Sequence, residues 1–156
     1  ITLENFLRTA KSTIQGEEEN VFIFNVELKK LMKNLDMDAS YASRYLNVGF
    51  SGGEKKKSEI VQMMALNPRL AILDETDSGL DVDAVRIVSK GIEQFHTDKN
   101  ALLVITHNTR ILEHMAPDFV HVLVKGRIVT TGDASLIAQI NEKGYAAFWG
   151  EEEQRA

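Results

Sequence analysis

The sequence predicts an α/β protein in which a helical N-terminal segment precedes a parallel sheet. In the first third, apolar residues such as Leu3, Leu7 and Leu28 recur at helical spacing. Further along, short apolar runs alternate with amphipathic stretches, which is typical of parallel strands joined by helices. We therefore predict buried parallel strands over 70–73 and 101–106.

Capping signals place the ends of the predicted helices. Ser51 followed by Glu54 is a capping box, so a helix should begin there and run to Asn67–Pro68. Asp81 and Asp133 can cap two later helices in the same way. The other predicted elements are a short helix that follows Asp38 and runs to about Leu46, another at 109–115, and a strand pair over 119–130 that turns at Lys125–Gly126.

The composition excludes several classes of protein. The 156 residues carry a formal net charge of -5, which gives no reason to expect nucleic acid as a partner. There are no cysteines, so disulfides and thiolate metal sites are ruled out. No apolar run approaches the roughly 18 residues of a spanning helix. We expect a cytoplasmic protein without membrane insertion; because it begins with Ile1, it is expected to be a fragment or a processed product.

Asp74 and Glu75 follow the first apolar run, where a buried strand should open into a polar loop. A carboxylate in that place can hold Mg²⁺ through water, and a neighbouring one can orient the water that attacks a phosphate. Two adjacent acids also cap ordinary exposed loops, and for the pair alone that interpretation is at least as good.

The stretch Ser51-Gly52-Gly53-Glu54 predicts an anion-binding helix start. Two glycines let the backbone approach a ligand closely, and the free amides of the following helix suit a phosphate. An ordinary capped helix after a flexible turn explains the same residues. The stretch therefore gains weight only from its distance to Asp74.

His107 follows the second apolar run, at the edge where parallel sheets bind ligands. A neutral imidazole there can contact a γ-phosphate or the attacking water, although a lone histidine is more often a surface residue. The other three histidines have no placement that favours chemistry: His96, His114 and His121.

Together, these motifs resemble the ABC ATPase family in their order. Residues 51–54 resemble its signature loop, 70–75 its Walker B strand, 78–81 its D-loop, and His107 its switch histidine. The resemblance implies a partial P-loop NTPase fold that uses ATP and Mg²⁺, with 1–50 as the remainder of the helical subdomain, 51–150 as the C-terminal part of the core, and 151–156 as a disordered tail.

The resemblance also implies roles for individual residues. Asp74 would hold Mg²⁺ through water, and Glu75 and His107 would be catalytic. Asp81 would lie at the dimer interface and count among the nucleotide-binding residues with the signature loop. That loop is formed by Ser51, Gly52, Gly53 and Glu54.

Two departures from the common ABC pattern resemble SufC, the soluble ATPase of the SUF system for iron–sulfur cluster assembly. The signature ends in Glu54 instead of glutamine, and Thr76-Asp77-Ser78-Gly79 replaces the common Pro-Thr-Ser-Ala. This resemblance implies SufB-like and SufD-like scaffold partners and a head-to-tail ATPase dimer. The alternatives are the ATPase subunit of a membrane transporter and a non-catalytic binding module derived from an ABC domain.

No stretch of the sequence matches the P-loop pattern Gly-x-x-x-x-Gly-Lys-Ser/Thr. Lys11-Ser12-Thr13 lacks both glycines, because Asn5 and Ala10 occupy their positions. The parent protein is expected to hydrolyse ATP, whereas these residues alone are expected not to. We also expect an exposed sheet edge and an uncovered sheet face.

Overall fold

A computed structural model describes residues 1–112 and 115–148, which fall into two units, Ile1–Ile111 and the segment from Leu112 onward. Each unit is described by itself. The predicted tail at 151–156 lies outside the described residues, and so does His114. The proposed division at residue 50 stays a prediction. No helix among the described residues is long and apolar enough to cross a membrane.

The first unit opens with two helices, α1 (Leu3–Gln15) and α2 (Val21–Asn34), as the apolar spacing predicts. Thr2 and Asn20 cap their N-termini. The apolar side of this layer is buried, with Leu3, Leu7, Phe24, Leu28 and Met32 at its centre. Lys11 holds the two helices together through ion pairs of 3.0 Å to Glu19 and 3.5 Å to Glu27.

A single 3-10 turn, Ala39–Ser43, leads from this layer toward the next helix. The short helix predicted after Asp38 is therefore present but ends three residues before the expected Leu46. Helix α3 (Gly52–Leu66) begins at the predicted capping box and ends at Asn67, whose φ of 45° is left-handed. Pro68 follows and cannot continue the helix.

Strands β1 (Leu70–Asp74) and β2 (Ala101–Ile105) pair in parallel, with Leu70 opposite Ala101 and Asp74 opposite Ile105. Helix α4 (Val82–Phe95) connects them and buries one apolar face. Gly91 allows α4 to pack closely, because a Cβ atom there would lie 2.6 Å from Leu35 Cδ2. The predicted parallel α/β arrangement is confirmed.

The prediction that both strands are buried is wrong for the described residues. Ala71 and Leu73 are buried, but the alternate residue Ile72 is 61% exposed. Leu103 and Ile105 of β2 are about half exposed. Successive side chains of a strand point to opposite faces, so only one face of this sheet is covered. The exposed face expected from the sequence is present.

The second unit contains an antiparallel pair, β3 (Val120–Val124) and β4 (Arg127–Gly132), and helix α5 (Ser135–Lys143). Lys125 and Gly126 form the predicted turn, both with positive φ, as a type I′ turn requires. Val122, Leu136 and Ile140 form its buried cluster. The N-cap residue of α5 is Ala134 and not the predicted Asp133, because the helix begins one residue later than expected. Asp133 accepts the Ser135 N–H at 2.9 Å just before the helix. Of the helix predicted at 109–115, the described residues show a 3-10 turn over Thr109–Leu112, at the boundary of the two units, while Met115 is not helical.

Candidate active site

Glu75 and His107 meet at the carboxyl ends of the two parallel strands. The Glu75 N–H donates to the Ile105 carbonyl at 2.9 Å, which continues the strand pairing one residue beyond β1. Glu75 Oε1 then lies 3.3 Å from His107 Nδ1. Both side chains are more than half exposed, at 54% and 70%, so they are accessible to a ligand.

The backbone turns sharply at Glu75. Its φ of 48° lies in the left-handed region, which is uncommon for a residue with a side chain. The turn continues with the Ser78 N–H donating to the Glu75 carbonyl at 3.1 Å. Gly79 supplies a second positive φ of 74°. The chain therefore leaves the sheet at Glu75, and Asp74 ends β1 at an exposed position.

Asp77, in this turn, is only 4% exposed and contacts the segment that carries His107. Thr106 Oγ1 donates to Asp77 Oδ1 at 3.0 Å, and it accepts the Asn108 N–H at 2.9 Å. His107 lies between those two residues. Neither Asp77 nor Thr106 is predicted as a site residue by the sequence patterns; the only signal was that Asp77 replaces the usual threonine of the ABC pattern.

Ser51 and Glu54 cap α3 reciprocally. Ser51 Oγ accepts the Glu54 N–H at 3.3 Å, while Glu54 Oε2 accepts the Ser51 N–H at 2.7 Å. Phe50, just before the cap, is buried. The capping box therefore fixes the backbone at the residues that resemble a signature loop, and the first-turn amides of a helix lack partners within the helix.

Tyr41, from the 3-10 turn at 39–43, also contacts α3, which we call the signature helix. Its hydroxyl donates to Glu54 Oε1. This hydrogen bond is the main cause that lowers the pKa of Glu54 below its ordinary value, followed by the Ser51 N–H. The same hydrogen bond raises the pKa of Tyr41. Nothing in the sequence patterns indicated this contact.

Gly53 of the signature loop lies near the turn after β1. A Cβ atom on Gly53 would lie 3.6 Å from Leu80 Cδ2, whereas one on Gly52 would meet no atom within 4 Å. Asp81, predicted as a nucleotide-binding residue, uses Oδ1 to accept the Ala84 N–H at 2.8 Å and so caps α4. The structure thus places Gly53 near the 78–81 turn and brings Glu75 into contact with His107.

The remaining described histidines have local partners. His96 Nδ1 lies 3.3 Å from Asn100 Oδ1, and His121 Nδ1 lies 2.8 Å from Thr131 Oγ1. Both contacts are formed on exposed surfaces. That these two side chains take no part in the chemistry stays a prediction.

Residues 3–78 match the family model described as "ABC transporter". Vegetative protein 296 of Bacillus subtilis is 45% identical over 147 residues, covering 93% of this chain and 56% of that protein. A probable ABC transporter ATP-binding protein of Streptococcus pyogenes is 44% identical, covering 94% and 58%. The probable ATP-dependent transporter ycf16 of Cyanophora paradoxa is 46% identical, covering 90% and 56%. The chain thus spans little more than half the length of these relatives.

Solved structures show the same fold. A dimeric ATP-binding cassette in a post-hydrolysis state, bound to ADP and Pi, has a TM-score of 0.72 at 15% identity, covering 86% of this chain and 57% of that one. An ATP-binding subunit of an ABC transporter has a TM-score of 0.71 at 25% identity, covering 95% and 62%. Sequence and fold together identify this chain as a stretch of an ABC-type ATPase domain.

Proposed function

We propose that these residues form one half of each composite ATP site in a head-to-tail ATPase dimer. Ser51, Gly52 and Gly53 would close on the nucleotide of a partner subunit, while Asp74, Glu75 and His107 would act on the nucleotide of their own subunit. The observation that carries the proposal is the 3.3 Å approach of Glu75 to His107 at the sheet edge. Parallel sheets bind ligands at that edge.

The acidic residues fit Mg²⁺ bound together with ATP. Among residues 1–112 and 115–148, no three His, Cys, Asp or Glu side chains come together as a metal site. Mg²⁺ usually takes one or two carboxylates, with waters and substrate phosphates as its other ligands. Asp74 would hold the ion through water, and the bound ion would neutralise charge on the phosphates.

Glu75 is the proposed base. The attacking water adds to the γ-phosphorus, the bond to the β-phosphate oxygen breaks, and the proton of the water passes to the Glu75 carboxylate. His107 lies within 3.3 Å of that carboxylate and orients it. The exposed position of both side chains leaves room for a nucleotide and the water.

Mixed dimers test the composite site in the ATPase that joins these residues to a P-loop. Ser51→Ala and Glu75→Gln should each inactivate the dimer. When the two variants are mixed, one site of each mixed dimer keeps both residues, so about a quarter of the wild-type rate should return. With both changes on one chain mixed with wild type, no mixed dimer has an intact site. No recovery in the first mixture would overturn the composite site.

The 156 residues contain no P-loop, so we expect them not to hydrolyse ATP when purified alone. The lysine and backbone amides of that loop are what hold the phosphates. Phosphate release by this chain, lost on Glu75→Gln, would contradict the expectation. The third possibility, a non-catalytic ABC-derived module, predicts that no P-loop is encoded in the same reading frame.

Two processes are candidates for the work done by ATP hydrolysis. The names of the relatives from Streptococcus and Cyanophora favour the ATPase subunit of a transporter. The Glu54 and Thr76-Asp77-Ser78-Gly79 variants support a SufC-like role with SufB-like and SufD-like scaffolds in iron–sulfur cluster assembly. Co-purification separates them: a membrane subunit supports transport, and a soluble scaffold pair supports cluster assembly.

A further inference from the structure

Tyr41 connects the 3-10 turn at 39–43 to the first turn of α3. Its hydroxyl donates to Glu54 across 13 residues of chain. The ring is held independently of that hydroxyl: Phe50 contacts it edge-on with centroids 4.8 Å apart, and the Arg44 guanidinium lies 4.0 Å from its centroid. The ring therefore packs against Phe50 and Arg44, while the hydroxyl binds Glu54, and a substitution can remove the second contact without the first.

Both oxygens of Glu54 are engaged. Oε1 accepts from Tyr41, and Oε2 accepts the Ser51 N–H at 2.7 Å. The positive end of a helix attracts any nearby anion, so a loose carboxylate in the first turn would compete with a phosphate for the same amides. The Tyr41 hydroxyl holds the carboxylate on the side of the 39–43 turn. The space beside Gly52 is open, since a Cβ atom there would meet no atom within 4 Å.

We propose that Tyr41 is a positioning residue for the signature loop, keeping the Glu54 carboxylate away from the place where Ser51 and Gly52 would meet a partner subunit's nucleotide. The common ABC signature has a neutral glutamine at this position, so the need for such a restraint arises with the glutamate. This inference rests on the composite ATP site proposed above.

Tyr41→Phe in the ATPase that carries a P-loop tests the restraint. The ring contacts remain, so the melting temperature without nucleotide should fall by only the few degrees that one lost hydrogen bond accounts for. The KM for ATP and the concentration of half-maximal ATP-dependent dimerisation should rise about three- to tenfold, the range expected for the net contribution of one typical hydrogen bond. The kcat at saturating ATP should change less than the KM.

Two comparisons make the result specific. Tyr45→Phe removes a hydroxyl four residues away, on a side chain that is 63% exposed, and should change neither constant. In a Glu54→Ala background, Tyr41→Phe should have no further effect, because the carboxylate that it restrains is gone. Equal effects of Tyr41→Phe in both backgrounds would overturn the inference.

Ser51→Ala separates failure of the inference from failure of the proposed function. If Ser51→Ala weakens ATP-dependent dimerisation and Tyr41→Phe does not, the composite site stands and the role of Tyr41 is refuted. If Ser51→Ala leaves dimerisation unchanged, the signature-loop assignment itself fails and the inference falls with it.

Discussion

His107 Nδ1 lies 3.3 Å from Glu75 Oε1, although 32 residues separate them along the chain. The parallel register of β1 and β2 explains this approach, since Asp74 is opposite Ile105, Glu75 follows β1 directly and His107 lies two residues after the end of β2. The contact between Glu75 and His107 therefore depends on the register in which β1 and β2 pair.

Glu75→Gln in the complete ATPase should lower the rate of phosphate release by about 10²- to 10⁴-fold, the usual contribution of a general base. The amide keeps the shape of the side chain but cannot accept the proton of the water. Binding of a fluorescent ATP analogue should stay within about twofold of wild type.

Glu93→Gln is the matched control, because it makes the same change at an exposed position of α4. It should leave both the rate and the binding unchanged. A Glu75→Gln variant that keeps half of the wild-type rate would show that another group takes the proton.

Thr106→Val should lower the free energy of unfolding of the protein by about 1–3 kcal/mol. The change removes the hydroxyl that donates to Asp77 at 3.0 Å and leaves that carboxylate, 4% exposed, without this donor. Valine preserves the shape of the side chain, so packing is little affected. Urea unfolding followed by circular dichroism measures the effect.

Thr106→Ser keeps the hydroxyl and should retain most of the stability. If the valine variant is as stable as wild type, the hydrogen bond to Asp77 contributes little, and a loss seen in the serine variant alone comes from the missing methyl group.

The contrast between these residues shows what local sequence patterns reveal. Ser51 and Glu54 are three residues apart, so their capping box could be predicted from spacing alone. Glu75 and His107 could be placed together because parallel strands end at one edge. Tyr41 with Glu54 could not, since this contact joins segments that no local rule relates.

The prediction that both strands are buried was wrong for a different reason. An apolar run such as 70–73 is consistent with a strand covered on both faces, but periodicity does not say whether a second layer is present. In the described residues, Ile72 faces open space beside a cavity of about 590 Å³. Sequence patterns therefore predict the strand and its parallel pairing. They do not predict whether another part of the protein packs on its second face.

Asp81→Ala should lower the free energy of unfolding by about 0.5–2 kcal/mol, because the side chain caps α4 at the Ala84 N–H. Asp81→Asn keeps a cap of similar quality and should unfold like wild type. Thermal unfolding of the three proteins measures this.

The asparagine variant also isolates the proposed place of Asp81 at the dimer interface. If Asp81→Asn weakens ATP-dependent dimerisation while its melting temperature is unchanged, the charge acts between subunits. Unchanged dimerisation would leave helix capping as the role of this side chain.

Acid should destabilise the signature helix through Glu54. Hydrogen bonds from Tyr41 and then from Ser51 lower the pKa of Glu54 below its ordinary value of 4.5. A folded-state pKa below the unfolded one means that the carboxylate contributes stability above pH 4.5, and this contribution is lost as the pH falls through the folded-state pKa. The stability difference between wild type and Glu54→Gln should therefore shrink in acid.

Tyr41→Phe should move this loss to higher pH, because without the main hydrogen bond the pKa of Glu54 returns toward its ordinary value. Urea midpoints measured from neutral pH to below 4.5 give the profile. Tyr45→Phe controls for the general effect of acid, which includes Asp38 and Asp133, whose pKa values are also lowered. If the urea midpoints of Tyr41→Phe and wild type change with pH in the same way, the hydrogen bond from Tyr41 to Glu54 is not formed in solution.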